Sequence, residues 1–191
     1  MKSAIILHGR PDKDEYYDPK TPSESNLHWI PWLQKHLIIN DVLAQTPEMP
    51  CPFAPRYPAW KREFERFDIG PETLLMGHSC GGGFMVRWLS ENKKVRTGKV
   101  VLVAPWINPD NNPVSDTADF FDFEIDTDIV SRTAGITIFN SDNDKESVQK
   151  SVRIIRDKVK DIEYREFQKR GHFCVGDMGV EFPELLKELL P

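Results

Sequence analysis

Ser79, within Gly77-His78-Ser79-Cys80-Gly81, is the residue whose setting points most directly to chemistry. A serine hydroxyl is a poor nucleophile at neutral pH. It needs a base within hydrogen-bond reach to take its proton and a carboxylate to orient that base. The G-x-S-x-G spacing supplies the mounting for such a group. The apolar run Thr73–Met76 precedes it and Phe84, Met85, Trp88 and Leu89 follow at helical steps. This order predicts a strand, a sharp turn and a helix start, with the Ser79 hydroxyl projecting at the C-terminal edge of a sheet. Gly77 and Gly81 stand where a side chain would collide with neighbouring backbone. A bare G-x-S-x-G also arises by chance, and the competing reading is a glycine-rich turn that binds phosphate or merely turns. The flanking strand and helix favour the nucleophile.

The other members of such a set follow Ser, Asp, His along the chain. His172, between Gly171 and Phe173 on the loop after the last expected strand, is the candidate base. Of the other four histidines, His28 and His36 fall in a Trp-rich helical region and read as packing or surface residues. His8 and His78 precede Ser79; His8 lines the pocket or braces a loop, and His78 points away from the nucleophile. The acid is Asp142 or Asp144, two residues of one turn after the run Gly135–Phe139. Either can instead cap the helix that starts near Glu146, and the residues alone leave the choice open. The expected oxyanion donors are the backbone N–H groups of Cys80, at the start of the elbow helix, and Arg10, held by the His8-Gly9 turn. A Cys80 nucleophile would require an activating base at its own position, whereas the elbow presents the residue before it. Cys174 is expected to be buried near the site. The sequence holds no H-E-x-x-H pattern, and Gly77–Gly83 does not match G-x-G-x-x-G, so neither a metal nor a cofactor is expected.

The positioning elements are legible from apolar periodicity. Short apolar runs at 3–7, 73–76, 99–104 and 135–139, each stopped by turn residues, suit strands buried on both faces of a parallel sheet. Further strands are expected at 41–45 and 162–168. Helices are expected from Trp29, Trp32, Leu33, His36 and Leu37; at 60–67; after the elbow; from the stripe Val148, Val152, Ile155 and Val159; and at 180–190. Residues 10–26 read as a loop, and the five prolines between 46 and 58 as irregular chain. Residues 106–130 interrupt the alternation. There Asp116, Asp119, Asp122, Glu124, Asp126 and Asp128 are interleaved with Phe120, Phe121 and Phe123, which reads as a small cap packed by its aromatics or as a solvated acidic linker. As a cap its charge would disfavour anionic substrates. The whole is expected to be one α/β domain, 1–191, with a mostly parallel sheet covered by helices on both faces. Binding groups would then lie outside the carboxyl ends of the strands.

The bulk numbers bound the function. The 191 residues are 39% hydrophobic and 10% aromatic, enough for one packed core. A net charge of −5 with no basic cluster argues against nucleic acid as a partner. The N-terminal apolar run is too short for a signal peptide and no stretch is long enough to span a membrane, so a cytoplasmic protein without membrane partners is expected. The three cysteines lack C-x-x-C spacing and read as free thiols.

Several segments together resemble the α/β-hydrolase superfamily, and within it the small serine hydrolases of the retinoblastoma-binding protein 9 type. They are Ala4-Ile5-Ile6-Leu7-His8-Gly9, Trp29-Ile30-Pro31-Trp32-Leu33, Gly77–Gly82, Phe139–Asp144 and Gly171-His172-Phe173. The resemblance covers nearly the whole chain. It implies a three-layer fold with a minimal cap, no cofactor, Ser79 as nucleophile, Asp144 as acid and His172 as base. The chain departs from the pattern at Lys145-Glu146, where the family often has proline, and at Arg10-Pro11-Asp12, where further glycine is common. Residues and resemblance lead to one expectation: cleavage of carboxylic esters or related activated acyl groups, on a small-molecule substrate, through an acyl-enzyme. The alternatives are a thioesterase or amidase with the same three residues, and an idle scaffold that binds a protein.

Overall fold

A computed structural model of the chain describes residues 2–110 and 119–190; Asp116 of the acidic segment falls outside them. Six strands, β1 (Ser3–Leu7), β2 (Leu43–Gln45), β3 (Thr73–His78), β4 (Val100–Val103), β5 (Ile136–Ser141) and β6 (Glu163–Phe167), form one sheet in the order β2-β1-β3-β4-β5-β6. Every pairing is parallel. All residues of β3, β4 and β5 are buried, which is why these strands read as unbroken apolar runs instead of alternating ones. The helices are α1 (Lys13–Tyr17), α2 (Ile30–Ile39), α3 (Tyr57–Phe64), α4 (Cys80–Glu91), α5 (Glu146–Lys158), α6 (Val175–Met178) and α7 (Pro183–Leu189). Helices α2 and α7 pack against one another and against β1 and β4 respectively, while α4 packs on β3 and β4 with α3 against it through Phe64, Phe84 and Trp88.

Three expectations shift in detail. Residues 10–26 contain α1 and a 3₁₀ turn at Glu24–Asn26. The proline-rich stretch gives way to helix at Tyr57, because Pro58 occupies a first-turn position where its missing N–H has no partner to lose. The terminal helix starts at Pro183 for the same reason, and α6 forms separately before it. In the acidic segment the aromatics are anchors: Phe120 and Phe121 are buried, with Phe120 edge-on to Trp60 and Tyr57. The Arg87 guanidinium donates to the carbonyls of Asp119 and Phe120 and lies over the Tyr57 ring. That part of the segment packs on α3 and α4, with Phe121 edge-on to Trp106.

Register brings the functional loops to one edge. Leu7 pairs with Gly77, His78 with Val103, Val103 with Phe139 and Ser141 with Phe167. The residues that follow these positions, Arg10, Ser79, Asp144 and His172, therefore emerge at the same carboxyl end of the sheet.

Candidate active site

Ser79 joins β3 to α4 with φ 52° and ψ −117°, a left-handed conformation that is unfavourable for a residue with a side chain and costs on the order of 1–3 kcal/mol. Hydrogen bonds hold it there: its N–H donates to the Val103 carbonyl, and its own carbonyl accepts from Gly83 and Trp106. The turn also needs α4 to pass close under β1. A Cβ on Gly81 would stand 2.5 Å from the His8 carbonyl oxygen, so only glycine fits.

The turn aims the Ser79 hydroxyl at His172, whose Nε2 accepts from Oγ at 2.8 Å. On the other side of the ring Nδ1 meets Asp144, 2.8 Å from Oδ2 and 3.0 Å from Oδ1. A carboxylate can only accept, so Nδ1 carries the proton and Nε2 is left with its lone pair toward the serine. The Asp144 side chain is fully buried and also accepts the Lys145 N–H at 2.6 Å. Asp142, the other candidate acid, is exposed, and its Oδ1 takes the Lys169 N–H at 2.7 Å. It braces the end of β6 and stays out of the Ser–His chain. The Arg10 and Cys80 residues line, with Ser79, His172 and Trp106, a cavity of about 280 Å³.

The other histidines take separate places. His8 is a brace: Nδ1–H donates to the Gly9 carbonyl and Nε2 accepts the Met49 N–H, tying the proline-rich loop to the end of β1. Burial lowers its pKa, with the nearby Glu48 carboxylate acting against the shift. His78 turns toward His172, donating Nε2–H to the His172 carbonyl at 2.8 Å. Burial, with the neighbouring imidazoles of His172 and His28 adding to it, holds His78 neutral well below the usual histidine range. His28, expected to be packing or surface, lines a second cavity of about 390 Å³ together with Ser79 and His172. Cys80 is buried, which pushes its thiol up to about 12, and Cys174 is pushed to about 12 by burial and by nearby carboxylates. Neither is a thiolate at neutral pH.

Two supports of the site escaped the sequence reading. Asp177 Oδ2 accepts the N–H groups of His172 and Cys174, at 2.9 and 3.2 Å. Its signal was the spacing Cys174-x-x-Asp177, a capping box with a thiol in place of the usual hydroxyl. Asn143 Oδ1 accepts from the Ser141 hydroxyl and from the Gly171 N–H, joining the acid turn to the histidine loop. Among the described residues, no group of three His, Cys, Asp or Glu side chains is arranged to hold a metal ion, and no helix is long and apolar enough to cross a membrane.

An all-parallel sheet with a serine on the β3 elbow defines the fold as that of the α/β-hydrolases. Solved structures agree. The ydeN gene product of Bacillus subtilis is 23% identical with a TM-score of 0.81, covering 99% of this chain and 97% of that one. Est1E from Butyrivibrio proteoclasticus, solved with ferulic acid bound, is 11% identical with a TM-score of 0.65, over 99% and 86% of the two chains. The chain belongs to the serine hydrolase family, whose sequence model matches residues 21–189. Among curated proteins it is similar to YdeN of Bacillus subtilis (strain 168), described as a hydrolase, at 31% identity over 106 residues. That alignment spans 54% of this chain and 50% of the relative.

Proposed function

We propose that this serine hydrolase cleaves carboxylic esters or related activated acyl groups on small molecules, through an acyl-enzyme, and that within its family it belongs with the retinoblastoma-binding protein 9 type. The observation that carries the reading is the continuous hydrogen-bonded chain from Ser79 Oγ through both nitrogens of His172 to the buried Asp144. In this reading Ser79 Oγ attacks the acyl carbon and its proton passes to His172 Nε2. The Asp144 carboxylate steadies the imidazolium, and the Cys80 and Arg10 amides receive the oxyanion. Collapse breaks the bond to the leaving group, which takes the proton from Nε2. Water then attacks the acyl-enzyme with His172 again as base, releasing the acid and restoring the Ser79 hydroxyl. No step calls for a cofactor, and neither a nucleic acid nor a membrane enters as partner.

Intact-mass spectrometry after exposure to a fluorophosphonate tests this on wild type, Ser79→Ala and His172→Ala. A single adduct on wild type that is absent from both folded variants is expected. Wild-type protein that stays unlabelled, or a Ser79→Ala variant that still hydrolyses 4-nitrophenyl acetate, overturns the proposal.

A further inference from the structure

The cavity that holds Ser79, His172 and His28 meets a second one at Glu24. The second cavity, also about 390 Å³, is walled by Tyr16, Tyr17, Asp18 and three glutamates, Glu15, Glu24 and Glu48. Glu15 and Glu24 line both. Glu24 is 6% exposed, yet no described residue offers its carboxyl a hydrogen bond or an ion pair; the adjacent Ser25 N–H is taken by Glu48 instead. Its charged neighbours, Glu15 and Glu48, have the same sign, and burial together with those two charges pushes Glu24 up to about 7. Glu24 thus stands at the junction of two cavities with its nearest charges of like sign, and no described residue supplies it with a counter-ion.

Neither cation that shares the Ser79 cavity is paired with Glu24. Arg10 and Lys145 line the Ser79 cavity, but they also line the 280 Å³ cavity beside Trp106, which Glu24 does not reach. Arg10 is moreover committed through Nε to the Phe53 carbonyl. The site is thus polarised: positive on the side of the elbow amides, negative toward Glu24. Tyr16 and Tyr17 line the same cavity as Glu24, and aromatic rings are side chains that tolerate a cation beside them.

We propose that Glu24, with Glu15 and Glu48 beside it, forms a subsite for a primary ammonium group, so that the substrates are acyl compounds bearing an amine. The substrate class rests on the hydrolase reading; the ammonium subsite itself does not require turnover. Its ligand donates hydrogen bonds to a carboxylate that receives none from the protein, which is where discrimination against an uncharged analogue arises.

The test is a titration followed by amide NMR on the full chain at pH 8, where Glu24 is ionised. The probes are n-butylammonium chloride and, as the neutral isostere, n-butanol. Saturable shifts around Glu24 and Ser25 are expected with n-butylammonium, at a Kd at least tenfold lower than with n-butanol, and Glu24→Gln is expected to abolish that difference. Equal affinity of the two probes for wild type overturns the subsite, as does an unchanged preference in Glu24→Gln, and the wild-type contrast decides the matter even if the variant misfolds. Fluorophosphonate labelling in parallel separates the two readings: labelled protein without ammonium preference loses the subsite alone, and unlabelled protein with the preference loses the hydrolase.

Discussion

His78 is adjacent to the proposed nucleophile in sequence, but its hydrogen bond serves the proposed base. By donating to the His172 carbonyl it fixes the backbone from which the imidazole projects, and its ring centroid sits 5.0 Å from that of His172. Burial keeps it neutral, so it acts as a constant donor across the pH range in which His172 would work. Replacing it with phenylalanine keeps a ring in the core and deletes the donor. His78→Phe is expected to lower kcat/KM for 4-nitrophenyl acetate by about 10- to 100-fold, the range for a misplaced catalytic group. His78→Gln, whose amide reaches the same carbonyl, is expected to recover most of that loss. A His78→Phe enzyme as fast as wild type would remove His78 from the positioning of the base. The proposed acid shows what residue type alone left open. Asp142 and Asp144 share a turn and a chemistry, and only the direction of each side chain separates the one that meets His172 from the one that ties down Lys169.

The element that presents His172 is short and depends on side chains. Helix α6 has four residues, and Asp177 holds its first turn and the His172 N–H together. The preceding Gly171 has φ +51°, and a Cβ there would stand 2.3 Å from the Asp177 carboxylate, so loop and helix interlock. Asp177→Ala is expected to cost about 1–2 kcal/mol of stability, the range for a lost cap, measured by urea unfolding. The larger effect is expected on kcat, which should fall about tenfold while thermal unfolding stays cooperative; a variant with unchanged kcat would show that the loop holds without the aspartate. Strands β1, β3, β4 and β5 were legible because burial on both faces leaves an unbroken apolar run. The elbow was legible because Gly81 and Ser79 meet steric demands that few residue types satisfy. The wall of the site was not. His28 and Asn143 sit on loops without periodicity and Glu24 opens a 3₁₀ turn, and no local pattern encodes the approach of Val175 to His28 or of Gly171 to Asn143.

At the scale of the molecule, burial of ionisable groups sets the response to pH. His8, His28 and His78 all have lowered pKa values, chiefly through burial. The stability they contribute as neutral rings is complete above about 6.5, their unfolded value, and is lost as pH falls through their folded values. Glu24 runs the other way: its contribution is complete below its unfolded value of 4.5 and is lost as pH rises through about 7. Between pH 7.5 and 5.5 three imidazoles outweigh one carboxyl. Acidification over that window is therefore expected to lower Tm. Glu24→Gln is expected to steepen the fall by raising Tm at pH 7.5, and scanning calorimetry that shows a flat or rising Tm on acidification would contradict the balance.

The sheet's outer strand β6 has a further bearing on how the molecule behaves in a crowded solution. It ends the sheet, so one side of its backbone is left without a neighbouring strand, the kind of border at which another chain can add and begin aggregation. Glu163, Arg165 and Glu166 flank that border, with Lys99 and Glu188 tied to it by ion pairs and Arg156 stacked over Tyr164. An approaching strand would have to strip water from these charges before it gained its first hydrogen bond, and the strand that leads to His172 is thereby kept from serving as a template for its own kind.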